Sequence, residues 1–274
     1  MTEEQPADTE RDVEPIELEA EDFVSNPPQL AGFVQALKDP EAARELLAEH
    51  LVEHALECVR QFGDFHMALS GGSTPMPLYR NLMLDPKYRR MPWRKTHLWI
   101  VDERRVPFDD DKSNFKHINE IIGQHSDIPK GQLHPIEAMY DDADVRYEKA
   151  LREALGWREK GQDRLDFVLL GMGPDGHTAS LFPDSPAFDV TDRLMAMNAG
   201  PTVVPPERVT MTRTLINGAR LVSVLVLGKG KAEMINRVAT GNDEPRELPI
   251  KSIKPIGGAL RWYLDEAACS HSAG

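Results

Sequence analysis

The apolar run Phe167-Val168-Leu169-Leu170 stops abruptly at Gly171-Met172-Gly173-Pro174-Asp175-Gly176-His177-Thr178-Ala179-Ser180-Leu181-Phe182-Pro183. Four consecutive apolar residues read as a buried strand, and the glycines and proline behind them force a loop at its carboxyl end. In open α/β sheets, ligands bind outside the carboxyl ends of the strands. Asp175 and His177 therefore stand where side chains face solvent and substrate, with small neighbours. They are placed for acid–base chemistry.

The remaining pattern supports such a sheet. Residues 41–62 repeat apolar positions at helical spacing, with Leu47, Leu51 and Ala55 on one line and Val52, Leu56 and Val59 beside it. Gly63 is the stop signal. Residues 65–69 form a short apolar strand that ends in Ser70-Gly71-Gly72-Ser73-Thr74-Pro75, before a short helix over 77–83. A strand over 97–101 runs into Asp102-Glu103-Arg104-Arg105. Ser113 caps a helix to 122, Asp141 or Asp142 caps one to 157, and the β-branched run 221–227 precedes a helix over 229–238. Strands alternating with helices at this spacing indicate a mainly parallel sheet with helices on both faces.

A chain of 274 residues with 41% hydrophobic content is sufficient for one large α/β domain. The net charge of -13 is concentrated: residues 1–22 carry ten acids against Arg11, leaving -4 for the rest. Residues 1–28 read as an acidic, unfolded tail, and 29–274 as a single catalytic domain. The acidity argues against nucleic acid as a ligand. No apolar run spans a membrane, no signal peptide is visible, and Cys58 and Cys269 provide no disulfide framework. The expected location is the cytoplasm, and the oligomeric state is left open.

Several motifs have a plain structural reading. Gly171 to Gly176 spell G-x-G-x-x-G, but Pro174, Pro183 and Pro186 deny the helix a dinucleotide needs. His50-Leu51-Val52-Glu53-His54 matches an inverted zinc-peptidase pattern, yet the histidines stand among Glu45, Glu49 and Glu57, as on a solvated helix face. The Gly71-Gly72 turn, with Ser70, Ser73 and Thr74, can aim backbone N–H groups at a phosphate or be a tight capped turn. It lacks a Walker lysine. Arg104 and Arg105 either grip an anion or pair with Asp102 and Glu103. Lys231 reaches a phosphate or lies on the surface.

In combination, Ser70-Gly71-Gly72-Ser73-Thr74-Pro75, Asp102-Glu103-Arg104-Arg105-Val106-Pro107 with Ser113-Asn114, Gly171 to Pro183, Arg208-Val209-Thr210, Leu248-Pro249 and Trp262-Tyr263-Leu264-Asp265 resemble the 6-phosphogluconolactonases. The resemblance covers about residues 30–268. It implies a modified Rossmann-like α/β fold, similar to those of glucosamine-6-phosphate isomerase and ribose-5-phosphate isomerase. It implies hydrolysis of 6-phosphoglucono-1,5-lactone in the oxidative pentose phosphate pathway, with no cofactor and no metal.

In that reading His177 deprotonates water, and Asp175 orients the imidazole and stabilises its protonated form. Arg104 and the Gly71-Gly72 turn hold oxyanion or phosphate charge, and Arg208 and Lys231 complete the phosphate pocket. One departure stands out, because Val203 occupies a position where the family often carries a lysine. The rival readings are a glucosamine-6-phosphate deaminase-isomerase and a non-catalytic sugar-phosphate sensor. The first needs an acid after the histidine motif that Thr178 to Pro183 does not provide. The second normally carries a DNA-binding segment, for which an acidic tail is a poor substitute.

Overall fold

A computed structural model describes residues 18–270. Strands β1 (Phe33–Leu37), β2 (Phe65–Leu69), β3 (Thr96–Ile100) and β4 (Asp102–Arg104) come first. After them come β5 (Leu133–His134), β6 (Phe167–Leu170), β7 (Met195–Ala199), β8 (Glu207–Met211), β9 (Leu221–Val226) and β10 (Ala259–Asp265). Helices are α1 (Pro40–Phe62), α2 (Met76–Leu84), α3 (Asn114–Ile118), α4 (Ala143–Leu155), α5 (Arg213–Gly218), α6 (Ala232–Thr240) and α7 (Glu266–Cys269).

Seven strands form a sheet in the order β1-β10-β9-β6-β2-β3-β5, and every pairing is parallel. The chain winds outward from its centre in two directions. From β2 it proceeds through β3 to β5, and from β6 through β9 to β10. The order reverses between β2 and β6, so the crevice of this sheet opens at their carboxyl ends. The Gly71–Thr74 and Gly171–Pro183 loops emerge there side by side.

Helix α1 shows how the sequence produces its packing. Asp39 accepts from the N–H groups of Glu41 and Ala42, both at 2.9 Å, Pro40 opens the helix, and Gly63 closes it at φ 89°. Leu47, Leu51, Val52 and Ala55 are fully buried, as their spacing predicts. Burying each of these leucine and valine side chains contributes about 1.5–3 kcal/mol. His50 and His54 are not on a solvated face, which corrects that expectation. His50 Nδ1 meets the Tyr263 hydroxyl at 2.7 Å, and His54 Nε2 meets the Asp166 carbonyl at 2.8 Å. They are hydrogen-bonded against the sheet and directed to different partners.

A second sheet, β4-β8-β7, is antiparallel and does not appear in the sequence pattern. The chain crosses from one sheet to the other at Val101. Its N–H donates to the Leu69 carbonyl at 3.1 Å, while its carbonyl accepts from Met211 N–H at 2.9 Å.

Of the segment expected to be a tail, residues 1–17 lie outside the described residues. The remainder is not free. Ala20–Asp22 form a 3-10 turn, Phe23 bridges Leu37, and Val24 N–H donates to the Ala36 carbonyl at 2.8 Å. Leu18, Phe23 and Val24 pack against the core, and that apolar contact outweighs local acidity. No described helix is long and apolar enough to cross a membrane.

Candidate active site

The crevice holds a cleft of about 490 Å³. Ser70, Gly71, Gly72, Ser73, Thr74, Arg104, His177, Arg208 and Lys231 all line it. Asp175 lies behind the lining and reaches the cleft through His177. The sequence residues are therefore brought together from five separate stretches of chain.

His177 Nδ1 and Asp175 Oδ1 are 2.5 Å apart, and His177 N–H also donates to Asp175 Oδ1 at 3.2 Å. Burial pushes the Asp175 carboxyl up, but the hydrogen bond and charge of His177 outweigh it and hold it below the ordinary value of 3.8. An ionised carboxylate only accepts, so the shared proton sits on Nδ1, the tautomer in which a neutral ring has its lone pair on Nε2. The loop achieves this geometry because it is nearly without bulk. A Cβ on Gly173 would lie 2.1 Å from His177 Nδ1, and Gly176 takes φ 80°. Ala179 is held at φ 52°, an unfavourable angle for a residue with a side chain.

The loop is fastened to the small sheet. Ser180 Oγ donates to Asp102 Oδ2 at 2.6 Å, Ser180 N–H donates to Thr210 Oγ1 at 3.1 Å, and Asn198 Nδ2 donates to the Ser180 carbonyl at 2.7 Å. Thr178 Oγ1 donates to the Gly171 carbonyl at 2.8 Å. Asp102 thus anchors the loop while lining the cleft, a role its place among strand-end acids did not disclose. Only the β4–β8 pairing brings it opposite Thr210.

Glu103, 1% exposed, is likewise not an arginine partner. Its carboxylate accepts from the N–H groups of Arg104 at 2.7 Å, Asn114 at 2.8 Å and Phe115 at 2.8 Å, and from Ser113 Oγ at 3.0 Å. Burial raises its pKa and those donors oppose the rise. It seals the start of α3 and fixes the backbone from which Arg104 projects. Arg105 turns away to Asp141 and, at 3.6 Å, to Glu207.

Arg104 Nη1 donates to the Lys112 carbonyl at 2.5 Å, and Arg208 Nη1 donates to the carbonyls of Pro205 and, at 3.1 Å, Glu207. Burial depresses the Arg208 pKa; Asp102 opposes the shift and Arg104 adds to it. Lys231 Nζ donates to the Met172 carbonyl at 2.7 Å, and burial lowers its pKa against the pull of Asp175. Val203 and Val204 line the cleft with apolar side chains, so Val203 brings no cation to it.

On the Gly71–Thr74 side, Ser70 is not an open ligand. It is 7% exposed, and its hydroxyl donates to the Leu169 carbonyl at 2.7 Å. Gly71 permits contact with α3, since a Cβ there would lie 1.9 Å from Asn114 Oδ1. Gly72, at φ 92°, turns the backbone toward the cleft.

Asp64, His66 and His97 form the one potential metal-ligand group among the described residues. It lies at the opposite, amino-terminal edge of the sheet. Trp99 Nε1–H donates to His66 Nδ1 at 3.1 Å, so His66 carries its proton on Nε2 and gives it to Asp64 at 3.0 Å. The His66 and His97 rings are stacked 4.2 Å apart, which directs their lone pairs alongside one another rather than toward a common point. This chemistry does not suit a metal.

The chain matches the family described as glucosamine-6-phosphate isomerases/6-phosphogluconolactonase over residues 38–262. It is 38% identical over 227 residues to a GDH/6PGL endoplasmic bifunctional protein of Homo sapiens, covering 80% of this chain and 28% of that relative. The chain thus spans little more than a quarter of that protein's length. It is 34% identical over 205 residues to a 6-phosphogluconolactonase of Haemophilus influenzae, covering 74% of this chain and 85% of that one. The structure of a 6-phosphogluconolactonase from Thermotoga maritima aligns with TM-score 0.73 and 28% identity, covering 85% of this chain and 99% of the other. The family match extends across the loops that build the cleft, and the chain belongs to the family of glucosamine-6-phosphate isomerases and 6-phosphogluconolactonases.

Proposed function

We propose that this chain hydrolyses 6-phospho-D-glucono-1,5-lactone to 6-phospho-D-gluconate in the oxidative pentose phosphate pathway. The observation that carries the reading is the 2.5 Å contact of His177 with Asp175 beside a cleft lined by Arg104, Arg208 and Lys231. A lactone is an activated ester, so a positioned base and a cationic cleft meet the demands of the reaction.

His177 Nε2 takes a proton from water as the water oxygen bonds to the lactone carbonyl carbon. The bond from that carbon to the ring oxygen then breaks, and His177 returns the proton to the leaving oxygen. Asp175 stabilises the imidazolium between these steps. The cations and the N–H groups of the Gly71–Gly72 turn hold the phosphate and the developing oxyanion. Two buried cysteines outside any disulfide, Cys58 and Cys269, agree with a reducing compartment, the cytoplasm in this proposal.

The test generates the lactone with glucose-6-phosphate dehydrogenase and follows conversion to the acid. Acceleration beyond buffer hydrolysis supports the proposal. Absence of acceleration, or ammonia release from glucosamine 6-phosphate, overturns it.

A further inference from the structure

We propose that Phe182 is a positioning residue for His177, its ring fixing the imidazole plane so that Nε2 meets the attacking water. The inference rests on the reading of His177 as the base. The two ring centroids are 4.9 Å apart with planes inclined at 54°. Phe182 is 2% exposed yet lines the cleft, so it is a wall of the site rather than part of a remote core.

Asp175 holds one vertex of the imidazole and the Gly173 backbone lies against its Nδ1–Cε1 edge, which leaves the Nε2 side of the ring to be fixed. A further contact on that side is needed to define the plane, and the Phe182 ring supplies it in a geometry favourable to aromatic pairs. Phe182 is itself held from behind. A Cβ on Gly200 would lie 2.6 Å from Phe182 Cε2, 2.6 Å from Cζ and 2.6 Å from Val203 Cγ2. The Gly200 backbone therefore lies directly on the phenyl ring, and its N–H closes the 200–206 loop through the Pro206 carbonyl at 2.9 Å. Contact thus passes from Gly200 to Phe182 to His177, although Gly200 does not line the cleft.

Misdirection of Nε2 slows proton transfer without weakening the grip on the phosphate, which depends on other residues. The expected signature is a loss in kcat at constant KM. Phe182→Leu keeps an apolar side chain but removes the planar face. Gly200→Ala inserts a methyl against the ring from outside the site. Each is expected to lower lactonase kcat on the order of tenfold, with KM within about twofold. The double variant is expected to be no worse than the poorer single one, because both act through one ring.

Nitrogen-15 NMR of the His177 ring in the full chain provides a readout that does not require activity. The ring is expected to be rigid in the wild type and to gain mobility in Phe182→Leu, read in the relaxation of its nitrogens, while Asp175 keeps the proton on Nδ1. A folded Phe182→Leu with unchanged kcat and an unchanged His177 spectrum overturns the proposal, and so does a rise in KM alone. If Gly200→Ala does not fold, Phe182→Leu decides the matter alone. His177→Ala separates the two levels: if it retains turnover, the assignment of the base fails, while the spectrum still reports whether Phe182 orients the ring.

Discussion

Arg104 and Arg208 are directly paired residues across antiparallel strands β4 and β8. Like charges at such positions repel, and Arg208 is 5% exposed. Their hydrogen bonds run to backbone carbonyls rather than carboxylates, so both guanidinium groups keep their charge for the cleft. An anion between them relieves the repulsion, which makes the pair a phosphate grip in the proposed reaction.

Replacement of Arg208 by Gln is therefore expected to raise the KM for the lactone by about tenfold to a hundredfold, the value of a charge-assisted hydrogen bond. Inorganic phosphate is expected to raise the wild-type Tm and to raise that of the variant less, because stabilisation follows binding to the folded state. An unchanged KM places the phosphate elsewhere in the cleft.

His177→Ala is expected to lower kcat by about 10²–10⁴, the usual contribution of a positioned acid–base group. Asp175→Asn keeps the shape but loses the obligate acceptor, and is expected to lower kcat with little change in KM. The Asp175 carboxyl is depressed in the fold, so the pair contributes stability above pH 3.8 that is lost as pH falls through the lower folded value. Steady-state kinetics in both variants, with the variants' unfolding midpoints as controls, provide the check.

At the far edge of the sheet, burial and then the His66 imidazole push His97 down to about 4. Burial and then His97 push His134 down to about 3. Both are favoured as neutral rings in the fold, while the unfolded chain titrates them near 6.5. Above that pH their contribution is complete. As pH falls from 6.5 toward 4, the unfolded state takes up protons that the fold refuses, and stability declines. Asp64, Asp166 and Arg158 also act on His97, with the carboxylates opposing the shift. His134→Gln is expected to flatten the decline of Tm over that window; an equally steep decline would dismiss the histidine stack as its source.

Arg158 is clamped by Asp64 at 2.5 Å and by Asp166 at 2.8 Å, with its side chain 2% exposed. Arg158→Met leaves two buried carboxylates with reduced compensation, Asp166 keeping Arg220 at 2.9 Å. Urea unfolding is expected to show a loss of about 3–5 kcal/mol. A loss below 1 kcal/mol on the same order-of-magnitude scale would show that water or Arg220 compensates.

Local sequence determined the elements that build the large sheet and the two loops at its crevice. The run Phe167 to Leu170 is followed by glycines and proline, and that contrast is enough to end β6 where Asp175 and His177 are needed. Asp39, Pro40 and Gly63 similarly delimit α1 through their own side chains and backbone freedom. These are short-range effects of sterics and hydrogen bonding, visible along the chain.

Tertiary structure alone decided what the loops face. Strand β4 has three residues and no apolar alternation, so nothing local marks Asp102–Arg104 as a strand; its partner β8 provides the pairing. That pairing sets Arg104 against Arg208 and, two positions along, Asp102 opposite Thr210 near Ser180. The same holds for His50 and His54, whose place among glutamates reads as a solvated helix face until Tyr263 and the Asp166 carbonyl arrive from distant parts of the chain. Periodicity records which side of an element is apolar. Only the folded sheet, through contacts between residues far apart in sequence, records which polar groups meet there.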